Sequence, residues 1–307
     1  MPSSEREPGP QRASDLAPRH DRVPHGRAPL DPRTETVRQF YARAPFPGYP
    51  PNDSVERLRA RAGRSAFAQL LDRSIDGDAR VLELGCGTGQ LSLYLATADR
   101  QITGADLARP SLLLARDAAR RYGTRNVQFV ETDLRAPAFR QGAFDVVVCS
   151  GVLHHTPDPR ASFRALVPLV RPGGYLVIGL YNTWARIPLR LRRAVYRLTG
   201  MAPFDPVLRD RSAEPARREA WLRDQYLHPE EHSHTLKAVQ SWFRESAVDY
   251  VRSYPGSLVG EEPPDDLFAP AADDWPLEGL LAQLSWMRSL GGEGGLFITV
   301  GKTKEQR

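Results

Sequence analysis

Residues 81–90 read VLELGCGTGQ, an apolar run holding one acid, Glu83, that breaks into three alternating glycines, Gly85, Gly87 and Gly89. Glycine has no Cβ, so a turn of this kind lets the backbone come very close to a ligand. A helix starting at its end also points free N–H groups at an anion. Asp106 closes the next apolar stretch, about 20 residues after the glycines, where doubly wound nucleotide sites hold ribose hydroxyls on a carboxylate. Asp133 closes the stretch after that, and residues 149–158, CSGVLHHTPD, bring Ser150, His154 and His155 to the end of a fourth. The dinucleotide fingerprint requires a glycine where this chain has Gln90, which argues against an NAD oxidoreductase, as does the lack of a recognisable second catalytic domain. The plainer readings are a tight strand-to-helix turn for the glycines and a helix cap for Asp106.

These residues need elements that hold them at one edge of a sheet. Residues 79–85, 100–106, 127–133, 144–150 and 175–181 are rich in Val, Ile and Leu and alternate with helical segments from Gly89, over 112–122 and near 161–169. That alternation predicts a parallel sheet covered by helices on both faces. Ahead of it, Val37, Phe40 and Tyr41 sit at helical spacing before Pro45 and Pro47, and a second amphipathic helix is expected over residues 55–71. Residues 1–34 carry seven prolines among charged and small residues and read as a disordered tail.

Beyond Asn182 the pattern gives way to about 60 residues of helices and polar connections, read as an insertion or lid. Residues 248–254 and 295–303 then read as strands around an acidic, proline-rich loop and a helix over 276–290. The 41% apolar and 26% charged composition is that of a globular protein, and no apolar run reaches the roughly 20 residues a membrane helix needs. The two cysteines, Cys86 and Cys149, exclude a disulfide scaffold, and with no apolar signal segment the expected setting is the cytoplasm. The net charge of +5, from 42 basic against 37 acidic residues, is a mixed surface that argues neither for nor against nucleic acid.

Five segments in order and spacing, LELGCGTGQ, GAD, ETDL, FDVVVCSGVLHHTPDP and LVRPGGYLVIGLYN, resemble the class I S-adenosylmethionine-dependent methyltransferases over residues 78–182. The resemblance implies an α/β fold with a Rossmann-like seven-stranded sheet, its strands six and seven within 246–307, to which the pattern adds a helical N-terminal cover over residues 35–77 and a helical insertion after strand five over 183–245. It implies S-adenosyl-L-methionine as cofactor. Gly85, Gly87 and Gly89 would approach its methionine part, Asp106 its ribose hydroxyls and Asp133 its adenine amine. Glu83 corresponds to the acid that opens the glycine motif, and Cys86, Leu107, Leu134 and Ser150 flank these positions.

A cofactor that brings its own activated methyl group needs no protein nucleophile or metal; the protein must align the acceptor and exclude water. A hydroxyl acceptor would gain from a base, for which His154 and His155 are the candidates, with a packed loop element as the alternative. Residues 224–235, DQYLHPEEHSHT, hold His228, His232 and His234 among acids, and they read as structural capping, as acceptor contacts or as metal ligands. Tyr41, Tyr181, Tyr226, His228 and His232 are the candidate acceptor contacts, and Phe40, Tyr41, Phe46 and Tyr49 form a possible aromatic cover or simple packing. The helix over 187–198 alternates arginines with aliphatic residues. It reads first as a face packed on the fold, and otherwise as a contact for RNA, anionic lipid or an acidic substrate. The favoured partner is a small-molecule acceptor; RNA or protein methylation and a non-catalytic cofactor-binding module are the alternatives.

Overall fold

The computed structural model describes residues 30–50, 53–202, 205–210, 215–258, 261–271, 276–290 and 294–305. Five parallel strands, β1 (Arg80–Leu84), β2 (Gln101–Asp106), β3 (Val127–Glu131), β4 (Phe144–Ser150) and β5 (Val170–Tyr181), are joined by β7 (Leu296–Thr303) and β6 (Val248–Tyr254) in the order β3-β2-β1-β4-β5-β7-β6. β7 runs antiparallel to both of its neighbours. The order reverses between β1 and β4, and a sheet of this topology binds ligands outside the carboxyl ends of the strands at that switch point.

Side-chain period two sorts the strands between two cores. Leu82, Leu84, Val147, Cys149, Leu176, Ile178 and Phe297 pack on one face, under α6 (Pro159–Leu166) and α10 (Leu236–Glu245). Val81, Val146, Val148, Val177, Ile298 and Val300 pack on the other, under α3 (Ala66–Ser74). Both faces are therefore dry, as a parallel sheet requires. Cys86 and Cys149 are buried free thiols in two different clusters.

The N-terminal cover departs from its expected outline. Of the segment expected to be a disordered tail, residues 1–29 lie outside the described residues, while α1 (Pro32–Arg43) starts ahead of residue 35. The Asp31 carboxylate accepts the Arg33 and Thr34 amides and Pro32 fits the first turn, so the cap sets the start rather than the apolar pattern. The helix expected over 55–71 is two: α2 (Val55–Ala62) and α3, each with its own serine cap, Ser54 and Ser65, and a turn at Gly63 between them. Between β2 and β3 lies α5 (Arg109–Tyr122), and α4 (Gln90–Leu95) follows the glycine turn. After β5 come α7 (Ile187–Thr199), α8 (Pro206–Arg209), α9 (Pro215–Tyr226) and α10, and α11 (Pro276–Ser289) precedes β7. No helix among the described residues is long and apolar enough to cross a membrane.

Candidate active site

A cavity of about 530 Å³ opens at the carboxyl ends of β1, β2, β3 and β4. Its floor is the glycine turn. Gly85 and Gly87 have φ of +74° and +54°, and each is packed so closely that a side chain would collide. A Cβ on Gly85 would stand 2.2 Å from Val152 Cγ2, and one on Gly87 would stand 2.3 Å from the Phe46 carbonyl oxygen. The turn is held open by its own amides, with Gly85 N–H donating to the Ala105 carbonyl at 2.7 Å and Gly87 N–H to the Asp106 side-chain Oδ2 at 2.8 Å. Asp106 also accepts the Ala108 amide at 2.7 Å on Oδ1. Burial pushes its carboxyl up against these N–H contacts, so a hydroxyl donor arriving from the cavity would stabilise the ionised form further.

Glu83, Gly85, Cys86, Gly87, Asp106, Leu107, Asp133, Leu134 and Ser150 all line this cavity. Asp133 faces Arg135, whose Nη2 lies 2.7 Å from Oδ2, and Arg135 joins the lining as well. Glu83 is buried at the base, where removal from water raises its pKa to about 7 although the Ser92 hydroxyl donates to it. A buried acid poised at neutrality with no cation beside it among the described residues suits a ligand that carries a positive charge.

Gly89 stands apart from its expected role. It is the left-handed N-cap of α4, and a Cβ there would meet Phe129 Cε1 at 2.6 Å and Ala115 Cβ at 2.9 Å, so its smallness serves helix-to-strand packing outside the cavity lining. Part of the turn's outer side is also taken: Thr88 donates to Pro47 O at 2.6 Å, Tyr49 donates to Thr88 O at 2.7 Å and Gln90 donates to Gly48 O at 2.9 Å. Residues 46–49 are thus strapped over the glycine turn.

The opposite wall is built by α1, β5 and α9. His155 lines the cavity while buried, and its Nδ1 lies 2.7 Å from the Glu230 carbonyl oxygen. A carbonyl only accepts, so Nδ1 carries the proton and Nε2 keeps its lone pair. Burial lowers the pKa of this ring to about 4, so the imidazole is neutral at pH 7. The Glu230 amide in turn donates to His228 Nδ1 at 3.2 Å, and the His228 ring stacks on His155 with centroids 3.7 Å apart. The backbone of one residue, Glu230, therefore holds two imidazoles.

Three acceptor candidates and one base candidate lie outside the lining, each for a visible reason. His154 is fully buried, stacked on Tyr181 at 3.8 Å, with neither ring nitrogen hydrogen-bonded among the described residues, and burial holds it well below the usual histidine range. Tyr226 is buried behind the wall, where its hydroxyl donates to Asp205 at 2.8 Å. His228 backs His155 without reaching the cavity lining, and His232 pairs with Glu230 Oε1 at 2.8 Å while its amide donates to the His154 carbonyl. His234 bridges to Asn182 through the backbone and sits edge-on to Trp242. The three histidines of this segment thus lie behind the cavity wall, and no group of three or more His, Cys, Asp or Glu placed to hold a metal is found among the described residues.

Tyr41 and Tyr181 do line the cavity, joined by Arg38 and Trp221, which carry no local sequence signal, and by Asp224 and Gln225 from the start of the histidine-rich segment. Tyr41 donates to Asp224 Oδ1 at 3.1 Å, and Gln225 Nε2 donates to Asp224 Oδ2 at 2.6 Å and to the Tyr181 hydroxyl at 2.8 Å. Behind them Arg186, fully buried, stacks on Tyr181 at 3.5 Å and forms a two-point pair with Glu231, which Arg193 also binds at 2.5 Å. Burial would raise Glu231, but the two guanidinium groups hold it down at about 2. The aromatic cover is realised in part: Tyr41 and Phe46 line the cavity, Phe40 packs on His228 and Arg223, and Tyr49 on the glycine turn.

Residues 82–178 match the family model described as a methyltransferase domain. An uncharacterized protein of Synechococcus is 29% identical over 250 residues, covering 72% of this chain and 60% of the relative. The ubiquinone biosynthesis O-methyltransferase of Xanthomonas euvesicatoria is 38% identical over 162 residues, covering 52% of this chain and 66% of the relative. The chain thus spans less than two thirds of these relatives' length. In fold, the chain is similar to the magnesium protoporphyrin IX methyltransferase of Synechocystis, with a TM-score of 0.50, 16% identity and coverage of 91% of this chain and all of the other.

Proposed function

We propose that this chain, a member of the class I S-adenosylmethionine-dependent methyltransferases, transfers the methyl group of S-adenosyl-L-methionine to a hydroxyl of a small molecule, with His155 as the base. The observation that carries the reading is His155 itself: a neutral imidazole in the cavity wall whose Nδ1 proton is committed to Glu230, which leaves Nε2 as the group able to take a proton. When bound, the cofactor supplies a methyl group already activated on a sulfonium. The chain's residues fit it. Asp106 keeps lone pairs free for ribose hydroxyls, and Glu83 meets a cation. The left-handed Gly85 and Gly87 leave a floor with no side chain in the way.

The remaining work falls to the wall. With the cofactor bound, its methyl group would go to the acceptor oxygen and its sulfur would leave as a neutral thioether, while the acceptor proton would pass to Nε2 of His155. A base with a pKa near 4 suffices, because the oxygen becomes far more acidic as it gains the methyl group. Tyr41, Tyr181 and Trp221 supply flat apolar surface and Asp224 an acceptor for a second polar group of the substrate. The similarity to ubiquinone biosynthesis O-methyltransferases supports a small hydroxylated acceptor, and a cavity of about 530 Å³ is of a size for a small molecule.

The test is production of S-adenosylhomocysteine by the purified full chain across a panel of phenols, alcohols and amines, with His155→Ala alongside. Acceptor-dependent turnover with hydroxyl compounds that His155→Ala abolishes supports the assignment. Turnover confined to amines overturns the choice of oxygen, and cofactor binding without turnover on any acceptor overturns catalysis.

A further inference from the structure

Between Asp158 and Asp205 the chain has no acidic residue, yet residues 186–197 carry five arginines. The structure divides those arginines by helix face. Arg186 and Arg193 clasp Glu231, and Arg192 Nη1 lies 3.2 Å from Asp205 Oδ2, all on the inner side of α7 beside buried Leu189. The outer side bears Leu191, Val195 and Leu198 at i, i+4 and i+7, with Met201 just past the C-cap. Leu191 is 65% exposed, Leu198 86% and Met201 63%. Along one border of this stripe, Arg190 and Arg197 are seven residues apart on the same face. Among the described residues neither is paired with a carboxylate, and Arg190 donates only to the Ser233 hydroxyl. The helix has turned three of its five arginines inward and its Leu191, Val195 and Leu198 stripe out.

We propose that the outer face of α7 docks on an anionic lipid bilayer, with Leu191, Leu198 and Met201 entering the acyl boundary and Arg197, with Arg190, meeting headgroup phosphates. The stripe is one helix wide, a few hundred Å² of aliphatic surface. A stable dimer buries about 800 Å² per partner, which this stripe does not offer. Single-stranded RNA is held by basic residues interleaved with aromatic ones, and the exposed stripe contains no aromatic residue. Aliphatic side chains in the centre, arginine at the edge and no acid in the helix itself are what a bilayer interface takes. This docking is independent of which acceptor the cavity takes.

The full chain is sedimented with vesicles of phosphatidylcholine alone and of phosphatidylcholine with phosphatidylglycerol, at low and raised salt. The expected result is partition at least about tenfold stronger on the anionic vesicles, falling as salt rises. Leu191→Asp with Leu198→Asp should reduce it by at least about tenfold, and Arg197→Glu should remove most of the preference for anionic lipid. Circular dichroism and the melting temperature should be nearly unchanged in both variants, since the altered side chains are exposed. No binding to anionic vesicles, or binding that survives Leu191→Asp with Leu198→Asp, overturns the proposal. So does a wild-type dimer in sedimentation equilibrium that the same pair of substitutions dissolves, or single-stranded RNA binding that they abolish.

Discussion

His155 gives its Nδ1 proton to the main-chain oxygen of Glu230 across 2.7 Å, tying the loop after β4 to the segment between α9 and α10. The bond sets the tautomer and aims the ring. His155→Ala should therefore lower kcat by about 10² to 10⁴ while leaving the dissociation constant for S-adenosylmethionine within about threefold. Single-turnover kinetics and calorimetric titration separate the two, and equal loss in both would place His155 in the cofactor site.

The same ring sets a pH dependence. Its folded pKa is about 4 against an ordinary 6.5, so in the window from 6.5 down to 4 the unfolded chain binds the proton and the folded one does not. Stability should fall as pH drops through that window, with His228, held near 3 by burial, adding in the same direction. Catalysis should stay level from neutrality to about pH 5 and decline only towards pH 4. A rate that halves near pH 6.5 would mean the ring is solvated in the working enzyme.

Glu83 has the opposite sign. With a pKa of about 7 it is roughly half protonated at neutral pH, and an arriving ammonium or sulfonium favours its ionised form. Cofactor binding at pH 7 should release up to about half a proton, read as a difference in binding enthalpy between buffers of unlike ionisation heat. Glu83→Gln should erase that difference.

The strand-end residues were legible because their signals are local. An apolar run followed by glycine marks β1 and its turn, and the same logic places Asp106, Asp133, Ser150 and His155 at neighbouring strand ends. Gly89 fits the same pattern, but what it avoids is Phe129 and Ala115, a fact of packing that spacing cannot express. The second wall was legible only in part. Tyr41 meets Asp224 across 183 positions, and Arg38, Trp221 and Gln225 sit on helices whose sequences look like any solvated helix until they are folded against the sheet. His154 was indistinguishable from His155 in sequence, since only the three-dimensional neighbours decide which ring meets the cavity and which stacks beneath Tyr181.

Gly85→Ala tests the floor. A Cβ there stands 2.2 Å from Val152 Cγ2 and φ is +74°, so both overpacking and backbone strain apply. The expected loss is about 2–4 kcal/mol of stability in chemical denaturation. Val152→Ala in the same chain should recover only the part due to contact.

Arg186→Met tests the buried brace. Removing the guanidinium leaves Glu231 with Arg193 alone and uncovers the face of Tyr181, and the expected cost is about 3–5 kcal/mol. Adding Glu231→Gln should restore part of it, as measured by a double-mutant cycle.

β6 has β7 as its sole neighbour in the sheet among the described residues, although β6 is synthesised first. During translation the half of the sheet from β3 to β5 can assemble as its strands emerge, whereas β6 must wait with an open edge until β7 arrives to separate it from β5. That interval falls after the glycine turn and Asp106 have been synthesised, so a nascent chain should bind S-adenosylmethionine, if the proposed function holds, before the second wall of the cavity is finished. Protease sensitivity of ribosome-stalled chains, with and without S-adenosylmethionine, would show whether the early half is protected first.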